Sequence, residues 1–194
     1  MSLSKRQIDI IEATTKLIGE SGIQNLTIKN LAAEMGFSEP ALYRHFKGKT
    51  EILKSVLIYY KEKLGKELKR IVNSDLSGLK KINKMVAFQF KHFTNFPAIV
   101  MVIFAETSFQ YDSELSKVVS EIMTQKKIMV SNIIKEGQNE GSVRNDINAE
   151  QLTTIVMGGM RLTVLEWRLS GFSFNLIKKG KELRNTIELL LKNK

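Results

Sequence analysis

The chain has 194 residues, 43% of them apolar and 26% charged, with 30 Lys and Arg against 20 Asp and Glu, two His, two Pro and no Cys. Without cysteine there is no disulfide framework, thiolate metal site or thiol nucleophile, and a chain of this length, burying about 70% of its unfolded surface, makes one large domain or two small ones. Its longest apolar run, Ala98 to Ala105, has eight residues against the ~20 of a membrane-spanning helix, and its charged start lacks the apolar stretch of a signal peptide, so the expected compartment is the cytoplasm.

Pro40 and Pro97 leave nearly the whole chain free to be helical, and apolar residues recur at three and four positions rather than two, so the expected fold class is all-α. Ile10, Ala13, Thr14, Leu17 and Ile18 form the stripe of a first helix, closed at Ser21-Gly22 by a glycine in the left-handed conformation. A second helix begins at Thr27, runs through Ile28, Leu31 and Ala32, and stops at Gly36. Ser38 offers an N-cap oxygen, and Pro40 falls in the first turn of a short third helix reaching Phe46. Thr50 is expected to cap a fourth, whose face is Ile52, Leu53, Val56, Leu57, Tyr60 and Leu64, ending near Asn73.

The polar stretch 73–78 is the one composition shift that reads as a boundary. It divides residues 1–50, with helix 4 over 50–73 as connector, from a Met- and Phe-rich domain over 74–194. Further helices are expected at 79–94, 97–109, 113–139, 149–170 and 175–192. The breaks have local causes: Pro97 starts a helix, Asp112-Ser113 caps one, Gly137 and Gly141 bracket a loop, and Gly171 ends the element before it.

Residues 27–46 read as two short helices joined by a tight glycine turn, with Ala32 small at the crossing and Leu42 plugged into a core with Leu31 and Phe37. Such a helix-turn-helix exposes the N-terminal face of its second helix. On or beside that face lie Ser38, Glu39, Ala41, Tyr43, Arg44 and His45, followed by Lys47 and Lys49. Singly, each also reads as an ordinary surface residue. Together, hydroxyls at the start and cations at the end of a short helix suit a major-groove reader, in which phosphate contacts fix the register and a few side chains reach base edges.

Arg6, Ile10, Ala13, Gly22, Leu26-Thr27-Ile28, Leu31-Ala32, Met35-Gly36-Phe37-Ser38, Ala41-Leu42-Tyr43-Arg44-His45-Phe46, Lys49 and Leu53 stand at fixed spacing. On these residues the segment 6–53 resembles the DNA-binding domain of TetR-family transcriptional regulators. The resemblance implies an N-terminal three-helix DNA-binding domain followed by a larger helical domain for ligand binding and dimerisation. It gives Thr27 a phosphate contact at the start of helix 2, puts the Ser38–His45 helix in the major groove, assigns backbone contacts to Tyr43 and His45, and gives Lys49 a phosphate at the start of helix 4. Base-edge contact is expected of Glu39, Ala41 and Arg44, the arginine favouring guanine.

The second half resembles the family's regulatory domain at Ile134-Lys135-Glu136-Gly137-Gln138-Asn139-Glu140-Gly141-Ser142-Val143-Arg144 and at Gly158-Gly159 in an apolar helix. In the family the last two long helices pair with a partner chain as a four-helix bundle, which gives a homodimer and, by symmetry, a palindromic operator. The stripes themselves are broad: Leu152, Ile155, Val156, Gly159, Met160, Thr163, Val164 and Trp167 on one helix, Leu183, Ile187, Leu190 and Leu191 on the next. Of these, Leu152, Ile155, Gly159, Thr163, Trp167, Leu183, Ile187 and Leu190 are the expected dimer contacts, the other reading being intrachain core.

Between the boundary and those helices lie Met85, Phe88, Phe90, Phe93, Met101, Phe104, Phe109, Tyr111, Met123, Met129 and Met157, a set that fits either a packed core or the apolar effector pocket implied by the resemblance. Met85, Phe88, Phe104, Met123 and Met157, with Glu106 and Arg161 as polar members, are the expected effector contacts; His92 and Arg168 also interrupt apolar segments. An elongated lipophilic effector, with an acidic head as one option, release of DNA on its binding, and repression follow as expectations, with helix 4 displaced when effector sits between helices 5 to 8.

The net charge of +10 is diffuse: +2 in residues 1–50, +3 in 51–70 and +5 in 71–194. That fits attraction to the DNA of the nucleoid and equally a merely Lys-rich surface. No enzyme, metal site or cofactor is expected, because no nucleophile elbow, phosphate loop or His-rich metal spacing is present. The rival reading is a nucleoid-occlusion protein of the same fold, using DNA as a platform for a division protein.

Overall fold

The computed structural model describes residues 3–105, 109 and 112–193, and the secondary structure among them is helical apart from one isolated bridge, Val143 to Lys192. The helices are α1 (Lys5–Ser21), α2 (Ile28–Met35), α3 (Glu39–Tyr43), α4 (Lys49–Val72), α5 (Gly78–Asn95), α6 (Pro97–Ile103), α7 (Ser113–Asn139), α8 (Ala149–Leu169) and α9 (Leu176–Leu191), with a 3-10 turn at Ile23–Asn25. The all-α expectation holds. Side-chain oxygens start several of them: Ser4 and Gln7 form a reciprocal capping box on α1, Thr27 accepts from the Asn30 N–H, Asn148 from Glu150 and Asn175 from Lys178.

Three local expectations change. Gly22 closes α1 at φ 81 and ψ 162, a positive-φ backbone outside the left-handed helical region, because the chain must swing at once into the 3-10 turn. Thr50 is inside α4 instead of capping it, and its hydroxyl donates to the Asp112 carboxylate at 2.8 Å. Finally, α6 stops at Ile103, where the Ala105 N–H reaches the Val102 carbonyl in a tightened last turn, short of the expected end at 109.

Two compact units emerge. The first takes the described parts of residues 1–63 and 97–121, the second residues 64–96 and the described residues from 122. Packing thus divides the chain differently from the boundary expected near residue 74, since the described part of 97–121 packs with the N-terminal helices. The first core is built on Ile10, Ile11, Leu31, Leu42, Phe46, Ile52, Val56, Ile99 and Val100, all buried. The second gathers Ile82, Phe90, Val130, Ile133, Leu152, Val156, Met160, Val164, Leu176 and Ile187. There α9 lies so close on α5 that a β-carbon at Gly180 would stand 2.5 Å from the Phe90 ring.

Candidate nucleic-acid interface and effector region

In the first unit α2 and α3 are joined by the turn the sequence calls for. Gly36 takes the left-handed conformation (φ 66, ψ 31), which costs a residue with a β-carbon free energy, and the Phe37 N–H reaches back to the Ala32 carbonyl at 2.8 Å. Leu31, Ala32 and Leu42 are buried, so α3 is anchored by its inner side and its other side is fixed by default. That outer side presents Ser38, Glu39, Tyr43 and Arg44, all exposed, with Tyr43 showing 53% of its surface.

The remaining expected DNA contacts have mixed settings. Ala41 and His45 are half-buried, and the His45 carbonyl accepts from the Gln7 side chain at 3.3 Å. Lys47 and Lys49 are exposed; Lys49 Nζ lies 3.5 Å from the Ile23 carbonyl, a long contact that leaves donors for a phosphate. Exposed Thr27 uses its oxygen on Asn30 N–H and keeps its hydroxyl proton to donate. Ser38 occupies the N-cap position of α3 without a capping bond from its side chain, so its hydroxyl also faces outward, contrary to the expected cap. Sequence reasoning missed Arg6 as a support: its guanidinium sits 5.1 Å from the Phe37 ring centroid and covers the turn.

Asp112, also in this unit, accepts from the backbone N–H of Leu115 and Glu114 and from Thr50, and these bonds, Leu115's first, hold its carboxyl below the usual range. Lys54 and Glu114 pair alongside at 3.3 Å. The start of α4 is therefore tied to the start of α7.

The expected effector residues fall in both units. Phe104 is buried in the first unit, whereas Met85, Phe88, Met123, Met157 and Arg161 belong to the second. Glu106 and Tyr111 lie outside the described residues. Met85 is buried, Phe88 is half-buried with its ring 5.9 Å from that of His92, and Met157 and Arg161 are half-buried. Met123 is 39% exposed and turns to the surface, because the inward stripe of α7 passes instead through Ile122, Lys126, Val130 and Ile133. A concavity of about 540 Å³ is open and lined by the polar residues Asn132, Lys135, Glu136, Asn139 and Glu140, none of them an expected effector contact.

Lys126 is the residue that sequence reasoning missed. Its ammonium donates to Gln89 Oε1 at 2.8 Å, and burial, with the like charge of Arg161, pulls it down to about 8. The signal was a lysine in the apolar stripe, concealed by the adjacent Lys127.

The expected dimer contacts split by phase. Leu152, Trp167 and Ile187 are buried in their own unit, and Gly159 faces Leu183, whose Cδ1 would be 3.3 Å from an added β-carbon, so these residues serve intrachain packing. Thr163 is half-buried and returns its hydroxyl to the Gly159 carbonyl. Ile155 and Leu190 are exposed, and the outward row is completed by Leu162 and Leu169 on α8 and Leu189 on α9, with Gly158 open between. Ile155, Leu162 and Leu169 recur at intervals of seven and are 49, 56 and 70% exposed.

The buried anchor, left-handed glycine turn and outward polar helix define a helix-turn-helix DNA-binding protein. Residues 10–56 match the family model of the bacterial regulatory proteins, tetR family, and residues 60–193 match that of the YsiA-like protein C-terminal region. The chain belongs to the TetR family of transcriptional regulators. It is 22% identical over 189 residues to the fatty acid metabolism regulator protein of Bacillus subtilis (strain 168), covering 96% of this chain and 94% of that protein. It is 24% identical over 167 residues to the nucleoid occlusion factor SlmA of Shewanella pealeana, covering 86% and 82%. The crystal structure of FadR from Bacillus subtilis in complex with stearoyl-CoA superposes with a TM-score of 0.80 at 19% identity, covering 94% of this chain and 98% of that one. No single helix among the described residues is long and apolar enough to cross a membrane.

Proposed function

We propose that this chain is a cytoplasmic homodimeric repressor that reads a palindromic operator through the 38–46 segment and is released from it by an elongated lipophilic effector. The observation that carries the reading is the outward face of α3, where Glu39, Tyr43 and Arg44 are exposed on a helix anchored from behind by Leu42. Thr27, Ser38, Lys47 and Lys49 surround it with hydroxyl and ammonium donors for phosphates, while Ala41 and His45 set how closely the helix approaches.

Two copies are required because one short helix covers few base pairs; a two-fold pair reads half-sites about one helical turn, ~34–36 Å, apart. The row Ile155, Leu162 and Leu169, with Leu189 and Leu190, supports α8 and α9 as the face joining the copies, since a monomer would leave it wet. The B. subtilis relatives named for fatty acid metabolism and crystallised with stearoyl-CoA favour a fatty acyl effector. Effector in the second unit displaces α4, which begins at Lys49 and runs on to Val72, and changes the spacing of the two recognition helices. A coupling of about 1–3 kcal/mol weakens DNA binding roughly 5- to 150-fold.

The test is operator selection from a random DNA pool, followed by anisotropy titrations over a salt series. Lys49→Ala weakens binding to every sequence and lowers the salt slope by about one per protomer, whereas Arg44→Ala alters sequence preference. Unchanged affinity and slope in Lys49→Ala would remove the phosphate assignment. Selection of many dispersed sites, with no fatty acyl compound releasing the protein, would favour the nucleoid-occlusion reading.

A further inference from the structure

Helix α4 begins at Lys49, directly after Gly48, whose carbonyl accepts the first helical bond from the Ile52 N–H at 3.2 Å. Glycine has no side chain to cap the amides that follow it. The first turn is held instead by the bonds its own side chains make. The Glu51 carboxylate accepts from the Lys47 N–H, Lys49 Nζ lies 3.5 Å from the Ile23 carbonyl, the Thr50 hydroxyl donates to Asp112 Oδ2 at 2.8 Å, and Lys54 Nζ stands 3.3 Å from Glu114. All these residues belong to the first unit.

Asp112 serves two helices at once. Its Oδ1 accepts from the Glu114 and Leu115 N–H groups, at 3.1 Å each, and so caps α7, while the Ser116 N–H closes that turn onto the Asp112 carbonyl at 2.9 Å. The other oxygen, Oδ2, takes the Thr50 hydroxyl. A carboxylate immobilised by two amides offers the hydroxyl a fixed point, and a bond to an ionised acceptor is stronger than one between neutral groups. Thr50 is half-buried and β-branched, with few rotamers open to it in a helix, so holding its hydroxyl also holds the backbone of the first turn of α4. The residue before it is Lys49. The Lys54 and Glu114 side chains are 41 and 65% exposed, and an ion pair so open to water adds little to this hold.

We propose that Asp112 is a positioning residue for operator binding: through Thr50 it fixes the start of α4 so that the Lys49 ammonium meets a DNA phosphate. This rests on the reading that Lys49 contacts a phosphate, and adds to it the group that places the contact. Asp112 itself touches no DNA. Without the bond the first turn of α4 occupies several positions, only a fraction of the molecules present Lys49 correctly, and the apparent affinity falls by that fraction.

The test is a double-mutant cycle read as operator affinity by fluorescence anisotropy at fixed salt, using the full chain and the operator obtained by selection. Thr50→Val keeps the shape and the charge of the site and removes the hydroxyl. It weakens binding by about 3- to 30-fold, the range from a neutral hydrogen bond to the lower values for a bond to a charged group, and Thr50→Ser restores most of the loss. In a Lys49→Ala background Thr50→Val has no further effect, because the contact it places is already gone; a merely structural role would weaken both backgrounds alike. If Thr50→Val binds as tightly as wild type, or weakens binding equally in the two backgrounds, Asp112 places nothing at the DNA and the proposal is overturned while the phosphate reading stands. If Lys49→Ala alone leaves affinity unchanged, the phosphate reading and the proposal fall together.

Discussion

The Lys126→Met variant isolates the cost of holding an ammonium beside Arg161 inside the second unit. Methionine has nearly the length of lysine and suits the apolar stripe between Ile122 and Val130, so packing is kept while charge is removed. The ammonium titrates near 8 in the fold against an ordinary 10.5, and at about 1.4 kcal/mol for each tenfold change in proton affinity the gap corresponds to roughly 3 kcal/mol. Loss of the bond to Gln89 offsets about 1 kcal/mol of that, so the variant gains on the order of 1–3 kcal/mol at pH 7. The pH dependence has a definite sign. Because the folded state binds this proton less tightly than the unfolded one, wild-type stability rises between about pH 8 and 10.5 as the group becomes neutral. Urea denaturation of both proteins at pH 7, 8.5 and 10 measures the difference, and comparison at equal pH cancels the titration of the other lysines. The advantage of the variant shrinks as pH rises. A variant less stable at pH 7, or with an advantage independent of pH, would refute the argument.

Gly180→Ala lowers the thermal midpoint: the new β-carbon meets the Phe90 ring at 2.5 Å, and overpacking of about 1–3 kcal/mol outweighs the up to ~1 kcal/mol that alanine gains in a helix. Leu162→Glu, at a 56% exposed position, leaves helix content by circular dichroism unchanged and shifts the sedimentation coefficient from dimer to monomer; a dimer that persists argues against the α8 face. Thr50→Val removes one of the bonds holding the Asp112 carboxyl low, so its NMR titration moves upward, though only in part because the Leu115 N–H bond remains. The stability contributed by that depressed carboxyl is present above its unfolded value and lost as pH falls through the folded one, so acid unfolding of the variant begins at higher pH.

The reading head was legible because its constraints are local. A cap at Thr27, a glycine with positive φ at Gly36 and an inward Leu42 each follow from a few residues, and together they determine which side of α3 faces out. Helix α8 was legible as a helix but not in its rotation. With Leu152, Ile155, Val156, Met160, Leu162, Val164, Trp167 and Leu169 its apolar residues extend most of the way round, and periodicity cannot say which arc meets its own chain. The interior charges were hidden for another reason. Lys81 is 4% exposed and pairs with Glu136 at 2.6 Å, and Lys126 lies in its stripe, yet Lys80-Lys81 and Lys126-Lys127 both look like solvated pairs until the neighbouring helices are in place.

The first unit is not contiguous in the chain: α1 to the first part of α4 needs α6, whose Ile99 and Val100 are buried, to complete its core. A ribosome adding about 5–20 residues each second therefore releases the whole recognition helix several seconds before the segment that finishes its foundation. During that interval the nascent chain carries Tyr43 and Arg44 without a completed support behind them. Messages truncated before Pro97 would accordingly yield fragments whose first unit lacks the part of its core that Ile99 and Val100 supply.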